Sequence, residues 1–258
     1  MIKRYIKDLA VMLILLMALS SGSVAQDTPE VRFRTGSEFY SQGRYSEALD
    51  EWLSVYNTGI KSSSLDYNIA NTYFKLNNIP GAILFYERAL LLDPLDEDSR
   101  YNLQVARTMV VDKFTEVPEL FFITWFNFLS LLLSSNLWAA ISIGCFISFL
   151  LLLSLYIYSA RYRNKVMGFW FGLLMLLIST MSLTLSVRNK NLVTDNKEAI
   201  IFSPVINGKS SPDESGTDLF VIHEGTKVTI EDAVGEWFEI RLADGNKGWV
   251  PADCLDKL

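Results

Sequence analysis

The strongest pattern of hydrophobic positions in the chain runs from Leu137 to Val187. Two charge-free stretches, Leu137–Ala160 and Val166–Val187, are separated by Arg161, Tyr162, Arg163, Asn164 and Lys165. With 24 and 22 residues, each is long enough as a helix to cross a hydrocarbon core of about 30 Å. Leu, Ile and Phe fill twelve positions of the first stretch. Together they favour insertion by about 4–7 kcal/mol. A link this short, residues 161–165, turns the helices antiparallel, so the pattern predicts a membrane hairpin with transmembrane helices at 137–160 and 166–187. Ala140, Gly144 and Ser148 form a seam of small residues on the first helix, and Gly168 and Gly172 do so on the second. Such seams let backbones approach closely. Folding about Arg163 sets Gly144 against Ser182 and Ala140 against Ser186. Gly168 and Gly172 then serve either a partner helix or ordinary packing.

Upstream, the pattern changes to a period of 34 over residues 29–112. Ala70, Tyr73, Ala82, Tyr86, Ala89 and Pro94 in the second copy answer to Gly36, Phe39, Ala48, Trp52, Val55 and Ile60 in the first. Small residues recur where two helices cross, and aromatics where the next turn must fill space. Each copy reads as a helical hairpin. The second has helices over 64–76 and up to Leu92, with Pro80 in the first turn of the latter, where a missing N–H is harmless. Asp93-Pro94 stops that helix. Asp96, Glu97 and Asp98 open another, 98–113, suited by their charge to a helix N-terminus. This last helix has no partner of matching pattern and is expected to cap the array. At the N-terminus, Lys3, Arg4 and Lys7 precede the apolar stretch Leu9–Leu19, and Ser23-Val24-Ala25 has a signal peptidase's small residues. Residues 1–25 are therefore expected to be a signal peptide cleaved after Ala25 rather than a retained anchor.

Two segments flank the hairpin. Leu120–Leu133 is uncharged and rich in Phe and Trp. As a helix it reaches only about 21 Å, so an interfacial amphipathic helix over 120–135 is expected rather than a third span. After the hairpin, short strand patterns at 199–202, 219–222, 227–231, 237–242 and 248–251 alternate with turn signals, Asp244-Gly245 the clearest. Ser203–Asp218, rich in Ser, Gly, Pro and Asp, reads as a long mobile loop. A small all-β domain over 194–258 is expected.

Charge and composition narrow the function. The net charge is −6, and it is uneven. Residues 26–119 carry −6 and 194–258 carry −7, whereas 120–193 contain five basic residues and no acidic one. With both non-membrane segments acidic, nucleic-acid binding is not expected. His223 is the single histidine, which removes His-based triads and multi-histidine metal sites. Cys145 and Cys254 belong to no CxxC or metal-ligand spacing. No enzyme activity, metal or cofactor is expected.

On the residues quoted, the period-34 region resembles the tetratricopeptide repeat (TPR) family. Gly36/Ala70, Phe39/Tyr73, Ala48/Ala82, Trp52/Tyr86 and Pro94 match its signature, whereas Val55 and Ile60 depart from it. The resemblance covers 29–113 as two repeats plus a capping helix and implies a concave surface for a peptide or partner helix. By the repeat arithmetic that surface carries Phe33, Arg34, Ser37, Tyr40, Tyr67, Asn68, Asn71, Phe74, Lys75, Tyr101 and Asn102. Either these side chains hold a ligand, or Tyr67 and Tyr101 pack between helices while the asparagines bind water. Few cations of the family's basic carboxylate clamp are present.

The C-terminal region is similar to bacterial SH3 domains. Ser203-Pro204, Glu224-Gly225-Thr226, Trp237, Asp244-Gly245 and Gly248-Trp249-Val250-Pro251 occur in that family's order. The resemblance implies binding of cell-wall or proline-containing peptides between loops, with Trp237 and Trp249 as candidate platforms. Phe202-Ser203-Pro204-Val205 replaces the usual aromatic-acidic run, and Cys254 stands where a binding tyrosine often sits. The fold class is multi-domain: all-α TPR helical hairpins, an α-helical transmembrane hairpin and an all-β SH3-like barrel.

Export of the N-terminal repeats would place the cytoplasmic loop at 161–165, whose three cations suit the positive-inside rule. Both folded segments are then extracytoplasmic. This architecture resembles BatE-type tetratricopeptide repeat membrane proteins of aerotolerance operons. It implies a non-enzymatic scaffold in the bacterial inner membrane, periplasmic in its domains. Its implied partners are membrane proteins of the same complex, including proteins with von Willebrand-type domains, together with the lipid bilayer and a peptide or peptidoglycan ligand. The alternative is a cell-wall sensor acting through the SH3 domain.

Overall fold

The computed structural model describes residues 28–114, 120–194 and 197–258; the expected signal peptide lies outside them. Residues up to Ile60 and residues from Lys61 form two compact units.

The first unit holds α1 (Pro29–Ser41) and α2 (Tyr45–Tyr56) as a pair. Thr28 caps α1, and Pro29 occupies its first turn. Trp52 is buried on α2 and donates its Nε1–H to the Phe33 carbonyl at 3.0 Å. Only a glycine at position 36 permits this, because a Cβ there would lie 2.7 Å from the indole nitrogen.

The second unit opens with the pair α3 (Ser63–Lys75) and α4 (Ile79–Leu92), followed by α5 (Glu97–Thr108). Ala70, Ala82 and Ala89 are fully buried between larger Ile69, Ile83 and Tyr86, which lets the helices approach closely. Asn78 caps α4, and Asp96 caps α5 through the amides of Asp98 and Ser99. The sequence pattern extended α5 to Lys113, and this is corrected: it stops at Thr108. Lys113 folds back to donate to the carbonyls of Arg107 and Thr108, supplying the C-terminal carbonyls with the partners that further helix would have supplied. The segment after α5 instead joins the β-domain, where Phe114 packs against the core.

Among the described residues, two helices are long and apolar enough to cross a membrane: α7 (Ser135–Tyr158) and α8 (Tyr162–Thr194). They pack against each other along their length. The link is Ser159–Arg161, shorter than the expected 161–165: α8 begins four residues before the expected 166, while α7 ends two residues before the expected 160. That moves the fold axis and changes the seam. Ser142 and Ser179 each donate to the other's carbonyl at 2.9 Å, and Ser135 and Ser186 do likewise at 3.0 and 2.8 Å. The expected pairs Gly144/Ser182 and Ala140/Ser186 are not formed, and Ala140 and Gly144 face outward. Gly168 and Gly172 are buried within the hairpin, where a Cβ on Gly168 would meet the Leu152 carbonyl at 2.8 Å. Their role is ordinary hairpin packing.

The flanking helix α6 (Phe121–Leu131) is shorter than the expected 120–135, and its polar side faces inward. Asn127 accepts from Arg188 at 2.8 Å, while the Ser130 carbonyl accepts from Asn189 and Trp138. Phe121, Phe122 and Trp125 are left exposed. α8 runs seven residues beyond the expected 187 to provide this contact.

The C-terminal sheet has seven strands in the order β3-β2-β6-β5-β4-β1-β7. These are β1 (Glu198–Ile201), β2 (Val205–Lys209), β3 (Asp218–His223), β4 (Lys227–Val234), β5 (Trp237–Arg241), β6 (Lys247–Pro251) and β7 (Leu255–Lys257). Side chains from both ends of this order, Ile222 of β3 and Leu255 of β7, share one core with Val228, Ile240 and Val250, so the sheet curls around it. The expected mobile loop 203–218 is corrected: β2 lies within it, antiparallel to β3 with Ile206 opposite Ile222. Val205 and Ile206 are the apolar pair that the surrounding Ser, Gly and Pro obscured. Paired helices and an antiparallel β-domain agree with the fold class read from the pattern.

Asp66 on α3 is buried, and its Oδ1 has no hydrogen-bond partner. Burial pushes its carboxyl up to about 7, against the pull of Arg88 and Lys61. Because folding raises this pKa, its stabilising protonation is complete below the unfolded value near ~4 and is lost as pH rises through about 7. Asp66→Asn should therefore stabilise the protein by about 1–3 kcal/mol at pH 8 and have almost no effect at pH 4, read from thermal unfolding in both buffers.

Candidate functional site

Three features of the second unit concern function: the junction of α4 with the β-domain, the polar face of α3 and α5, and the outer face of the sheet.

At the junction, Glu87 of α4 is buried and takes a cation from each side. Arg107 of α5 bonds to its Oε1, and Lys227 of β4 to its Oε2 at 3.1 Å. Lys227 also reaches Glu198 of β1 at 2.9 Å. Burial alone would raise the Glu87 carboxyl, but Lys227 and Arg107 outweigh it and hold it below the usual range. Lys227 is shifted upward for the reciprocal reason, its desolvation outweighed by Glu87 and Glu198. A second clasp lies beside it. Asp112 accepts from the His223 amide and the Thr226 hydroxyl, both at 2.7 Å, and its Oδ1 is 2.9 Å from His223 Nδ1. Burial raises the Asp112 carboxyl less than these bonds lower it. Arg88 completes the contact by donating to the Lys257 carbonyl on β7. Ile200 is fully buried although its neighbours Ala199 and Ile201 point into the barrel core. β1 is thus covered on both faces, as its contact with α4 requires. A cleft of about 790 Å³ borders this junction, lined by Ile83, Val110, Lys113, Phe114 and Arg241, with Thr124 of α6 at its edge.

His223 stood out in the sequence only as the single histidine, and none of Glu87, Arg107, Asp112 or Lys227 stood out at all. The partners that join the helices to the β-domain are 111 to 140 residues apart, and no local pattern links a helical glutamate to a strand lysine. The available signal at Asp112 was a carboxylate directly after the apolar Met109-Val110-Val111.

On the helical side, Tyr67, Asn71 and Asn102 come together. Asn71 accepts from the Tyr86 hydroxyl at 2.5 Å and from the Asn102 amide at 3.1 Å, and Asn102 also reaches the Tyr67 hydroxyl at 3.4 Å. The Tyr67 ring leans on Tyr86 at 6.2 Å. Asn68 and Phe74 are half-buried on α3, while Lys75 and Tyr101 are exposed. In the first unit, Phe33 and Tyr40 both pack on Trp52. Arg34 is exposed and 3.8 Å from Glu38, and the Ser37 hydroxyl donates to the Phe33 carbonyl.

On the sheet, Trp237 and Trp249 are both half-buried on the outer face of β5 and β6. Trp237 lies opposite Pro251, and Trp249 opposite Glu239. Cys254 is no surface contact: it is buried in the barrel core, and burial pushes its thiol up to about 11. The junction uses β1, β7 and the turn around Thr226, so it leaves Trp237 uncovered.

Residues 209–256 match the bacterial SH3 domain family. No curated protein matches this chain. The C-terminal segment is therefore a bacterial SH3 domain, a type typical of binding modules, and a helical region precedes it. The family match begins at the end of β2; the structure adds β1 and the rest of β2 to the sheet.

Removing one partner of a buried pair leaves an uncompensated charge, at about 3–5 kcal/mol. Glu87→Met and Lys227→Met should each destabilise the protein by that order, and the double variant by clearly less than the sum, measured as a double-mutant cycle of thermal unfolding. For wild type, the lowered Glu87 pKa places its contribution above pH ~4.5, lost as pH falls further. The raised Lys227 pKa places its contribution below pH ~10.5, lost as pH rises beyond it.

Proposed function

We propose that this chain is a non-enzymatic scaffold of the bacterial inner membrane that binds partner proteins or peptides through tetratricopeptide-like helices and its SH3 domain. The observation that carries this reading is the junction itself. Glu87, Arg107 and Asp112 precede the apolar hairpin, and they contact Lys227, His223 and Thr226, which follow it. A pair of spanning helices returns the chain to the side it left, which is the arrangement such a contact needs. At 11 residues, α6 reaches only about 17 Å, too short for a third span. Its outward aromatic face suits the membrane interface. Arg161, Arg163 and Lys165 at the hairpin tip suit the cytoplasm, and both folded segments are then periplasmic.

Binding is favoured over catalysis by the chemistry present. Among the described residues no group of His, Cys, Asp and Glu has metal-ligand geometry, and His223 is engaged by Asp112. The Asn71–Asn102 amides and the Trp237 face are both left uncovered by the junction. The resemblance to BatE-type proteins adds an aerotolerance-related membrane complex, with von Willebrand-type domain proteins among the partners. A second reading, cell-wall binding through the SH3 domain, draws on the family match and on half-exposed Trp237 and Trp249.

A reporter active only in the periplasm, fused after Leu258, should be active; a cytoplasmic signal there would overturn the topology. Crosslinking of the intact protein in native membranes should trap a specific partner, and a monomer under every condition would count against the scaffold. Retention of the intact protein on purified cell wall would move the weight to the second reading.

A further inference from the structure

The outer face of β4–β5–β6 is arranged in rows by the strand register. At the end nearest the junction, Glu231 is paired with Arg241 at 2.6 Å and with Lys247 at 3.5 Å. At the far end lies an apolar row, Val234 opposite Trp237 opposite Pro251. Val234 is 48% exposed, too open for a core position.

Between these rows Asp232 lies directly opposite Glu239. The irregularity of β4 between Ile230 and Asp232 inserts an extra residue, as a bulge does, and so sets Glu231 and Asp232 together on this face. Like charges directly opposite in a sheet repel and destabilise it. Among the described residues, neither Asp232 nor Glu239 has a cationic partner. Lys209, whose strand position is opposite Trp249, is taken by Asp218 at 2.9 Å. The sheet thus neutralises its carboxylate in one row and leaves two adjacent carboxylates without a cation in the next, Asp232 accepting only from the Ala233 amide at 2.8 Å, beside the half-buried Trp237 indole.

We propose that this face docks an extended peptide segment carrying lysine or arginine. Its cations lie between Asp232 and Glu239, and its apolar side chains lie on Val234, Trp237 and Pro251. Charge complementarity selects the occupant. Two carboxylates without a cationic partner gain from a cation that relieves their repulsion, and the indole face attracts a cation as well as an apolar group. An anionic or neutral segment would leave the repulsion in place. The inference deepens the scaffold reading and rests on it, by giving the chemistry of what the SH3 domain holds.

The test uses the intact protein in non-ionic detergent and a fluorescein-labelled octapeptide of alternating lysine and alanine, followed by fluorescence anisotropy. Binding should weaken with salt. Asp232→Asn/Glu239→Gln should weaken it about tenfold or more, a loss of ~1.4 kcal/mol, with a melting temperature unchanged or raised because the repulsion is gone. Asp213→Asn/Glu214→Gln, which removes the same charge elsewhere on the domain, should change it less than twofold. Equal weakening by both double variants, or equal binding of a glutamate–alanine octapeptide, overturns the proposal. If no peptide binds while the intact protein still crosslinks to a partner in membranes, this assignment falls and the scaffold reading stands.

Discussion

A single buried carboxylate joins the helical part of the second unit to its SH3 domain. Glu87 sits on α4, and its two oxygens are divided between Arg107 of the helical region and Lys227 of the SH3 domain. Such a group is stable as an ion only while both cations stay in place, because desolvation of an unpaired carboxylate would cost several kcal/mol. The helices and the SH3 domain are therefore not independent modules on a string. Around Glu87, the Asp112 clasp and the doubly covered strand β1 add specificity and apolar burial.

That junction determines which surfaces remain for binding. It occupies α4 and the β1–β7 side of the SH3 sheet, so the amides on α3 and α5 and the face around Trp237 are both left open. Within the same unit, α8 of the apolar hairpin touches α4 directly, and α6 packs on its end, Asn127 and the Ser130 carbonyl bonding to α8 and leaving Phe and Trp outward. In a bilayer, a short helix of this kind gains from burying its aromatic side at the interface, while its few polar groups are satisfied by protein. Inside the hairpin, paired serines do what the expected alanine and glycine seam does not. Each hydroxyl reaches the opposite backbone, so closeness and hydrogen bonding come from the same residue.

Much of this was legible in the linear pattern, and the failures have a common cause. The boundaries at Pro80 and Asp93-Pro94 follow from backbone chemistry that acts within a few residues, and α4 begins and ends there. The hairpin's existence follows from two long charge-free stretches. Its register does not, because a shift of the turn by a few residues exchanges one set of small residues for another. β2 was missed because a strand of two apolar residues amid Ser, Gly and Pro has no pattern of its own until β3 pairs with it. Of the candidate groove residues, Tyr67, Asn71 and Asn102 meet in one hydrogen-bonded set. Phe33 and Tyr40 instead fill space around Trp52.

The sequence alone determined the helices and five of the seven strands, their order, the acidic balance of the folded segments and the candidacy of Trp237 and Trp249, since each depends on neighbours within one element. Only the tertiary structure decided that the SH3 domain docks on α4, that Asp112 clasps the single histidine, His223, and that Asp232 faces Glu239 without a cation. These are contacts between residues brought together by folding, and no periodicity along the chain records them.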